Sequence, residues 1–256
     1  MPVLPGAEPF RHDGSDEVGV LLCHGFTGTP QSLRPWGEHL AAAGLTVRCP
    51  LLPGHGTDWR DMNRTTWNDW YGRVSEELIG LTQRCATVVV GGLSMGGALA
   101  LRLAQEHGPT VAGLVLVNPS VTTLRREMAL LPVLSRVVAS MPPIGNDIAK
   151  PGVTELAYDR TPLRAANSLR RLWRTVRADL PKVSQPVLLY RSAVDHVVEP
   201  VNSQVVLRSI ASADVTEVVL ADSYHVATLD HDAPTIFAGS VEFARRVHAE
   251  RVGEPA

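Results

Sequence analysis

Residues 87–103 read T-V-V-V-G-G-L-S-M-G-G-A-L-A-L-R-L. The first four are β-branched and apolar, which suits a strand covered on both faces. Residues 98–105 are good helix formers with a helical apolar repeat. Ser94 stands on the corner between the two. At so sharp a turn backbone presses on backbone, and Gly92, Gly96 and Gly97 remove the side chains that would collide. G-L-S-M-G therefore has the form of a nucleophile elbow, in which a tight turn lifts a serine hydroxyl above the sheet. Alone, the same five residues read equally well as a glycine-rich loop; the strand before and the helix after give them their meaning.

Working outward, residues 18–23 (V-G-V-L-L-C) form a second buried strand, followed by H-G-F-T-G. Thr29 is a suitable N-cap with Pro30 at the first helical position, opening a helix that runs to about Ala43 and stops at Gly44. Leu33, Trp36 and Leu40 share one face of it. Residues 45–49 are the next strand, 50–56 a loop, and 66–82 a helix striped by Trp67, Trp70, Val74, Leu78 and Leu81. Residues 111–117 are a further strand, and the segment before Val18 supplies one or two strands at the sheet edge. This alternation predicts an α/β fold: a mostly parallel central sheet with helices on both faces.

At Asn118-Pro119 the rhythm breaks, and it resumes at Pro186 with a strand (186–190), a helix (201–210), a strand (215–220) and a terminal helix (234–247). A structureless loop of that length is foreign to a compact domain. The expected organisation is one core, 1–118 and 186–256, carrying a helical cap insertion, 119–185. Residues 124–141 of the insertion are rich in Leu, Val and Met; they either pack it onto the sheet or line an acyl pocket. Residues 161–180 place Leu169, Leu172, Val176 and Leu180 on one helical face, with Arg164, Arg170, Arg171, Arg174 and Arg177 on the other. That basic face is either a surface that attracts anionic lipid or fatty acid, or a solvated face paired with acids elsewhere.

Apolar residues make up 45% of the 256 and charged ones 20%, an ordinary globular composition. A net charge of -2 gives no field for nucleic acid or an anionic membrane. The N-terminus has neither the charge nor the apolar run of a secretory signal, and no stretch suits a membrane span, so stable membrane insertion is not expected and the cytoplasm is the default compartment. Cys23, Cys49 and Cys85 are odd in number and widely spaced, which suits buried thiols rather than a disulfide framework or zinc site.

A serine hydroxyl is a weak nucleophile near neutrality and needs a histidine base, itself oriented by a carboxylate. In a parallel sheet those groups meet on loops at the C-terminal ends of the strands. His225, shortly after the last strand, satisfies this. His24 precedes the serine in a turn with another task, and His196 adjoins the candidate acid as a cap or packing residue. His12, His39, His107, His231 and His248 fall at the edge or on helices. His55 is the nearest rival, with the alternative of a turn residue whose ring fixes its loop. Asp195, soon after the 186–190 strand, is the preferred acid; Asp222 is better placed to cap the loop before His225. For the oxyanion, the N–H of Met95 at the start of the elbow helix supplies one donor, and the N–H of Phe26 in H-G-F the second. Gly25 and Gly28 let that loop bend close, and the Phe26 and Met95 side chains are left to wall the pocket. The order Ser94, Asp195, His225 is that of α/β-hydrolases. No metal or organic cofactor is called for.

V-L-L-C-H-G-F-T-G-T-P, G-L-S-M-G-G, D-H-V-V and S-Y-H-V-A-T-L-D together resemble bacterial monoacylglycerol lipases and the related small carboxylesterases of the α/β-hydrolase superfamily. The likeness extends to P-V-L-P-G-A-E-P-F at the start and E-L-A-Y-D-R-T-P within the insertion, and is weakest over residues 121–141. It implies an α/β-hydrolase fold with a cap over the pocket, a Ser94, Asp195 and His225 triad, and an oxyanion hole from Phe26 and Met95. It also implies that Glu155 accepts hydrogen bonds from glycerol hydroxyls, with a cap ion pair to an arginine as the alternative; Ile144 is a further substrate-binding candidate. The activity so implied is hydrolysis of monoacylglycerols to glycerol and fatty acid. The alternative is broad carboxylesterase action on short- to medium-chain esters. In either case the partner is a small lipid or ester, with transient contact at a lipid interface through the cap.

Overall fold

The computed structural model describes residues 1–253, apart from the side chain of Glu127. Its elements run β1 (Phe10–His12), β2 (Val18–Cys23), α1 (Arg34–Ala42), β3 (Thr46–Cys49), α2 (Trp59–Met62), α3 (Trp67–Thr82), β4 (Thr87–Leu93), α4 (Met95–His107) and β5 (Gly113–Val117). There follow α5 (Leu131–Val137), β6 (Ser140–Met141), β7 (Thr161–Pro162), α6 (Leu163–Asp179), β8 (Val187–Ser192), α7 (Val201–Ser209), β9 (Val215–Leu220) and α8 (Ala233–Val252). The main sheet has the order β1-β3-β2-β4-β5-β8-β9. β1 pairs antiparallel with β3, and the other neighbours are parallel. This is the mostly parallel α/β sheet that the alternation predicts, in the arrangement that the resemblance to α/β-hydrolases implies.

Because side chains alternate across a strand, each central strand feeds two cores. Leu21, Val88, Val90, Leu114, Leu116 and Leu189 pack beneath α3, α4 and α6 with Trp70 and Leu78. Val20, Leu22, Val89, Val115, Leu188 and Tyr190 face α1 and α8 through Trp36, Leu40, Phe243 and Val247. At roughly 1.5–3 kcal/mol for each large apolar side chain fully buried, these two layers dominate the stabilisation of the fold.

The elements differ from the sequence reading where local chemistry intervenes. Thr29 accepts the Gln31 N–H as expected of a cap, but the first turn, Pro30–Leu33, is a 3-10 helix before α1 begins. The Thr66 cap of α3 is reinforced by Asp69, whose carboxylate takes the Thr66 N–H at 2.7 Å. α2, capped by Asp58, is too short to show a period and has no signature in the sequence. The strand expected over 111–117 begins at Gly113, after a 3-10 turn at Gly108–Thr110.

Residues 118–186 leave the sheet after β5 and return at β8. Within them α5 packs on α6, and β6 pairs with β7. Of the apolar first half, Leu131 is buried against α6 and lines a cavity with Met128, Leu134 and Met141, whereas Leu124, Leu130, Val133 and Val137 stand in solvent and serve neither reading. On α6 the buried stripe is broader than expected, with Leu163, Ala165 and Trp173 joining Leu169, Leu172 and Val176. Arg177 is withdrawn from the basic face to donate to the Val121 carbonyl. Among the described residues Arg164, Arg170, Arg171 and Arg174 form no ion pair, so the expected pairing with distant acids is not found.

Candidate active site

Ser94 joins β4 to α4 with φ 55° and ψ -117°, a conformation that a residue with a Cβ rarely adopts. Its surroundings hold it there. The Ser94 N–H donates to Val117 O (3.0 Å), and its carbonyl accepts the Gly97 and Ser120 N–H groups, both at 3.0 Å. A Cβ on Gly92 would lie 2.2 Å from Gly96 O. The corner thus exists because the flanking residues lack side chains.

His225 follows β9 and Asp195 follows β8. Asp195 Oδ2 accepts from His225 Nδ1 at 2.8 Å, while Oδ1 takes the N–H groups of Val197 (2.8 Å) and Val198 (2.7 Å). Both side chains are nearly inaccessible to solvent, 7% exposed for His225 and 5% for Asp195. Burial pushes the Asp195 carboxyl up, but the hydrogen bond and charge of His225 together with the two N–H donors more than offset this and hold it below its ordinary value. Burial likewise depresses His225, and the hydrogen bond and charge of Asp195, followed by the charges of Glu155 and Asp147, reverse the sign and raise it. Bound through Nδ1, the imidazole presents Nε2 to the cavity it shares with Ser94. Among the described residues no hydrogen bond joins Ser94 to His225; such contacts commonly close only with substrate in place.

The cavity has a volume of about 400 Å³. Ser94, Ser120, Glu155 and His225 are among its polar lining, with Thr122, Thr123, Arg125 and Thr161; Met128, Leu131, Leu134, Leu163, Leu169 and Trp173 are among the apolar side chains that line it. Phe26 and Ile144 also line it, Ile144 with 42% of its surface exposed. Met95 opens α4, so its N–H has no intrahelical acceptor. Neither that N–H nor the one of Phe26 is spent on another loop or side-chain acceptor among the described residues. One expectation is corrected here: the Met95 side chain does not wall the pocket but lies fully buried in the core under α4.

Glu155 has a carboxyl pushed up by burial, with the charge of His225 and a hydrogen bond from Asn146 acting the other way. Its Oε1 occupies the space that a Cβ on Gly28 would need, 2.5 Å away. Among the described residues it makes no ion pair, so the cap salt bridge is not formed. Glu155 thus lines the same cavity as Ser94 and His225 without an ion-pair partner among the described residues.

The other histidines fall elsewhere. His24 is buried, with Nδ1 against Gly25 O (3.0 Å) and Nε2 accepting the Leu52 N–H (3.2 Å); burial lowers its pKa to about 4. His55 is packed edge-on against it at 5.0 Å, held to Pro53 O, and pushed well down by burial and then by His24. The pair fixes the two loops as neutral rings. The loop before His225 is held by Asp230 and Asp232, not Asp222: Asp230 Oδ2 accepts the Tyr224 N–H, and Asp232 Oδ2 the Asp222 N–H, both at 2.9 Å.

Two groups at the site lie outside what the sequence indicates. Asn118, at φ 43° after β5, donates from Nδ2 to His225 O (2.9 Å) and Ser192 Oγ (2.9 Å) and accepts the Ser192 N–H (2.8 Å). The Asn-Pro break of the pattern is its only sequence signal. Asp147 contacts the same loop from the insertion and has no sequence signal at all.

Known proteins align with this chain along most of its length. The profile of the Hydrolase_4 family, described as serine aminopeptidase, S33, matches residues 15–232. A thermostable monoacylglycerol lipase of Bacillus sp. (strain H-257) is 47% identical over 94% of this chain and 96% of its own. A carboxylesterase of Bacillus subtilis (strain 168) is 24% identical over 94% and 97%. Among solved structures, one reported for the metagenome-derived lipolytic enzymes LipS and LipT superposes with a TM-score of 0.93, at 40% identity over 96% of this chain and 100% of the other.

Proposed function

The chain belongs to the Hydrolase_4 family, and from that premise we propose that it is a carboxylic ester hydrolase that cleaves monoacylglycerols to glycerol and free fatty acid. The observation that carries this reading is the cavity itself, about 400 Å³, in which Ser94, His225 and the unpaired Glu155 share a lining that is mostly apolar.

His225 Nε2 takes the proton of Ser94 as Oγ attacks the ester carbonyl. The Phe26 and Met95 N–H groups receive the oxyanion. Collapse breaks the bond to glycerol, which leaves with the proton returned by His225, and Ser94 carries the acyl group. Water then attacks that ester, again losing its proton to His225, and the second collapse releases the fatty acid and restores the serine. Asp195 keeps His225 in the productive tautomer and stabilises the transient imidazolium. Residues 119–185 act as a cap, supplying Glu155 and most of the acyl wall. The exposed Leu130, Val133 and Val137 beside unpaired arginines suit brief contact with the lipid surface from which such a substrate is drawn. No helix among the described residues is long and apolar enough to cross a membrane.

A test of the alcohol site compares a monoacylglycerol with the methyl ester of the same acid. Glu155→Ala is expected to lower kcat/KM for the monoacylglycerol by roughly 10- to 100-fold, the value of hydrogen bonds to a charged group, and to change the methyl ester about 3-fold or less. Equal losses on both would instead favour a broad carboxylesterase.

The acid side of the pH profile provides a second test. Only neutral His225 accepts the serine proton, and its raised pKa shifts the acidic limb of kcat/KM upward from where an ordinary imidazole would place it, as a property of the Asp195–His225 pair together. Stability follows a different course. The raised His225 contributes stability below its unfolded pKa and loses it as pH rises through the folded one. The depressed Asp195 contributes above its unfolded pKa and loses it as pH falls through the folded one. Between those limits both contributions are intact, so activity should be lost on mild acidification while circular dichroism stays native and activity returns on neutralisation. Loss of both signals together would contradict the assignment.

A further inference from the structure

The loop bearing His225 is held from two directions. From the sheet side, Asn118 and Ser192 grip the carbonyls of Tyr224 and His225. From the insertion, Asp147 reaches the same loop: its Oδ2 accepts the N–H of His225 at 3.2 Å and the N–H of His196 at 3.0 Å. Its Oδ1 meets His196 Nδ1 at 2.8 Å, and its own carbonyl accepts the Val226 N–H at 3.1 Å. The tie is returned by Asp230, on the His225 loop, whose carboxylate accepts the N–H groups of Ala149 (2.7 Å) and Lys150 (2.9 Å).

His196 directly follows Asp195. One carboxylate thus binds the backbone of the histidine and the backbone of the residue next to its acid partner, adding a tie from the insertion to two loops that Ser192 joins from the sheet side. The Asp147 side chain is 13% exposed; its bond from the His225 N–H is partly buried, whereas its two bonds from His196 lie at the surface. The charged and titratable groups facing His225 are Asp195 from the loop after β8, and Glu155 and Asp147 from the insertion. Those facing Asp147 are His196 and His225, its remaining partners being backbone N–H groups.

We propose that Asp147 is a positioning residue for the catalytic pair: seated with residues 146–150 of the insertion, it sets the Asp195 and His225 loops at the separation their hydrogen bond requires. The inference rests on His225 being the base and adds that the insertion completes the catalytic geometry as well as covering the pocket. A staple that merely held the insertion down would alter stability and substrate affinity and leave turnover alone.

The experiment uses a soluble short-chain p-nitrophenyl ester, with Asp147→Ala and Asp147→Asn measured beside His225→Ala. Asp147→Ala is expected to lower kcat by about 10- to 100-fold, the range for a misplaced catalytic group, with KM changed by less than about 3-fold. Asp147→Asn keeps an oxygen for the two N–H groups and offers its amide to His196 in the other tautomer, so it should recover most of kcat. Having lost the charge, it should also move the acidic limb of the pH profile to lower pH. Should Asp147→Ala fail to fold, the asparagine variant still decides through that shift. A kcat for Asp147→Ala within two-fold of wild type, or an asparagine variant that neither recovers turnover nor moves the limb, overturns the proposal. Activity surviving in His225→Ala would instead remove the reading beneath it, a distinguishable failure.

Discussion

Ser94→Ala should lose ester hydrolysis almost completely, by about 10⁴-fold or more, because removing the nucleophile leaves only the oxyanion donors and substrate binding. The same protein should keep its fold. Ser94 contributes its backbone to the corner, through the Val117, Gly97 and Ser120 hydrogen bonds, and alanine preserves all three. Alanine also carries the same backbone strain at φ 55°, so little changes in the folded state apart from the hydroxyl. Thermal unfolding within a few degrees of wild type, beside the lost activity, is the expected pair of readings. A variant retaining a tenth of wild-type turnover would mean that another group attacks the ester.

The second large effect is on stability. A Cβ on Gly96 would sit 1.8 Å from the carbonyl oxygen of Cys23 and 2.5 Å from its carbon. Both are backbone atoms at the end of β2, whose registered pairing with β4 leaves them nowhere to go. The first turn of α4 and the end of β2 would have to separate, breaking the approach that places the Phe26 loop beside Ser94. Gly96→Ala is therefore expected to destabilise by more than about 3 kcal/mol, the upper range for overpacking, and to be recovered mainly as insoluble protein. Gly80, inside α3 with open space where its Cβ would lie, is the matched control. There alanine should stabilise by roughly 0.5–1 kcal/mol through helix propensity. Urea unfolding of the two variants makes the comparison; a Gly96→Ala midpoint equal to that of wild type would contradict the close packing at the elbow.

These two residues also show what sequence can and cannot convey. The elbow is legible because its demands are local: β-branched residues where a strand is covered on both faces, glycines where chain meets chain, helix formers after. The mostly parallel sheet follows from the alternation of strand and helix, likewise a short-range rule. Ser94, Asp195 and His225 can be nominated because each follows its own strand, and parallel strands deliver their ends to one edge. Asp147 and Asn118 cannot. Their carboxylate and amide bond to backbone groups of residues far along the chain, and nothing in N-D-I-A or N-P-S-V distinguishes those tasks from an ordinary solvated side chain. The Met95 side chain departs from its expected place for a related reason: the first turn of α4 faces the core as well as the pocket, and a sequence repeat does not say which face a terminal residue takes. Along α6 the leucine stripe is visible in the sequence but too narrow there, since Trp173 joins the core shared with α3 and α4 and Leu163 packs on Leu131 of α5, contacts between elements that a helical repeat does not reveal.

Substrate choice depends on that cavity, and one measurement addresses it most directly: initial rates on mono-, di- and trilauroylglycerol and on methyl laurate, under matched dispersion. If the mostly apolar cavity of about 400 Å³ holds the acyl chain and Glu155 accepts from free hydroxyls, as proposed, the monoacylglycerol should be cleaved fastest. The di- and triesters and the methyl ester should trail by at least about 10-fold, the discrimination a single buried polar partner provides. A triester or methyl ester cleaved as fast as the monoester would contradict it.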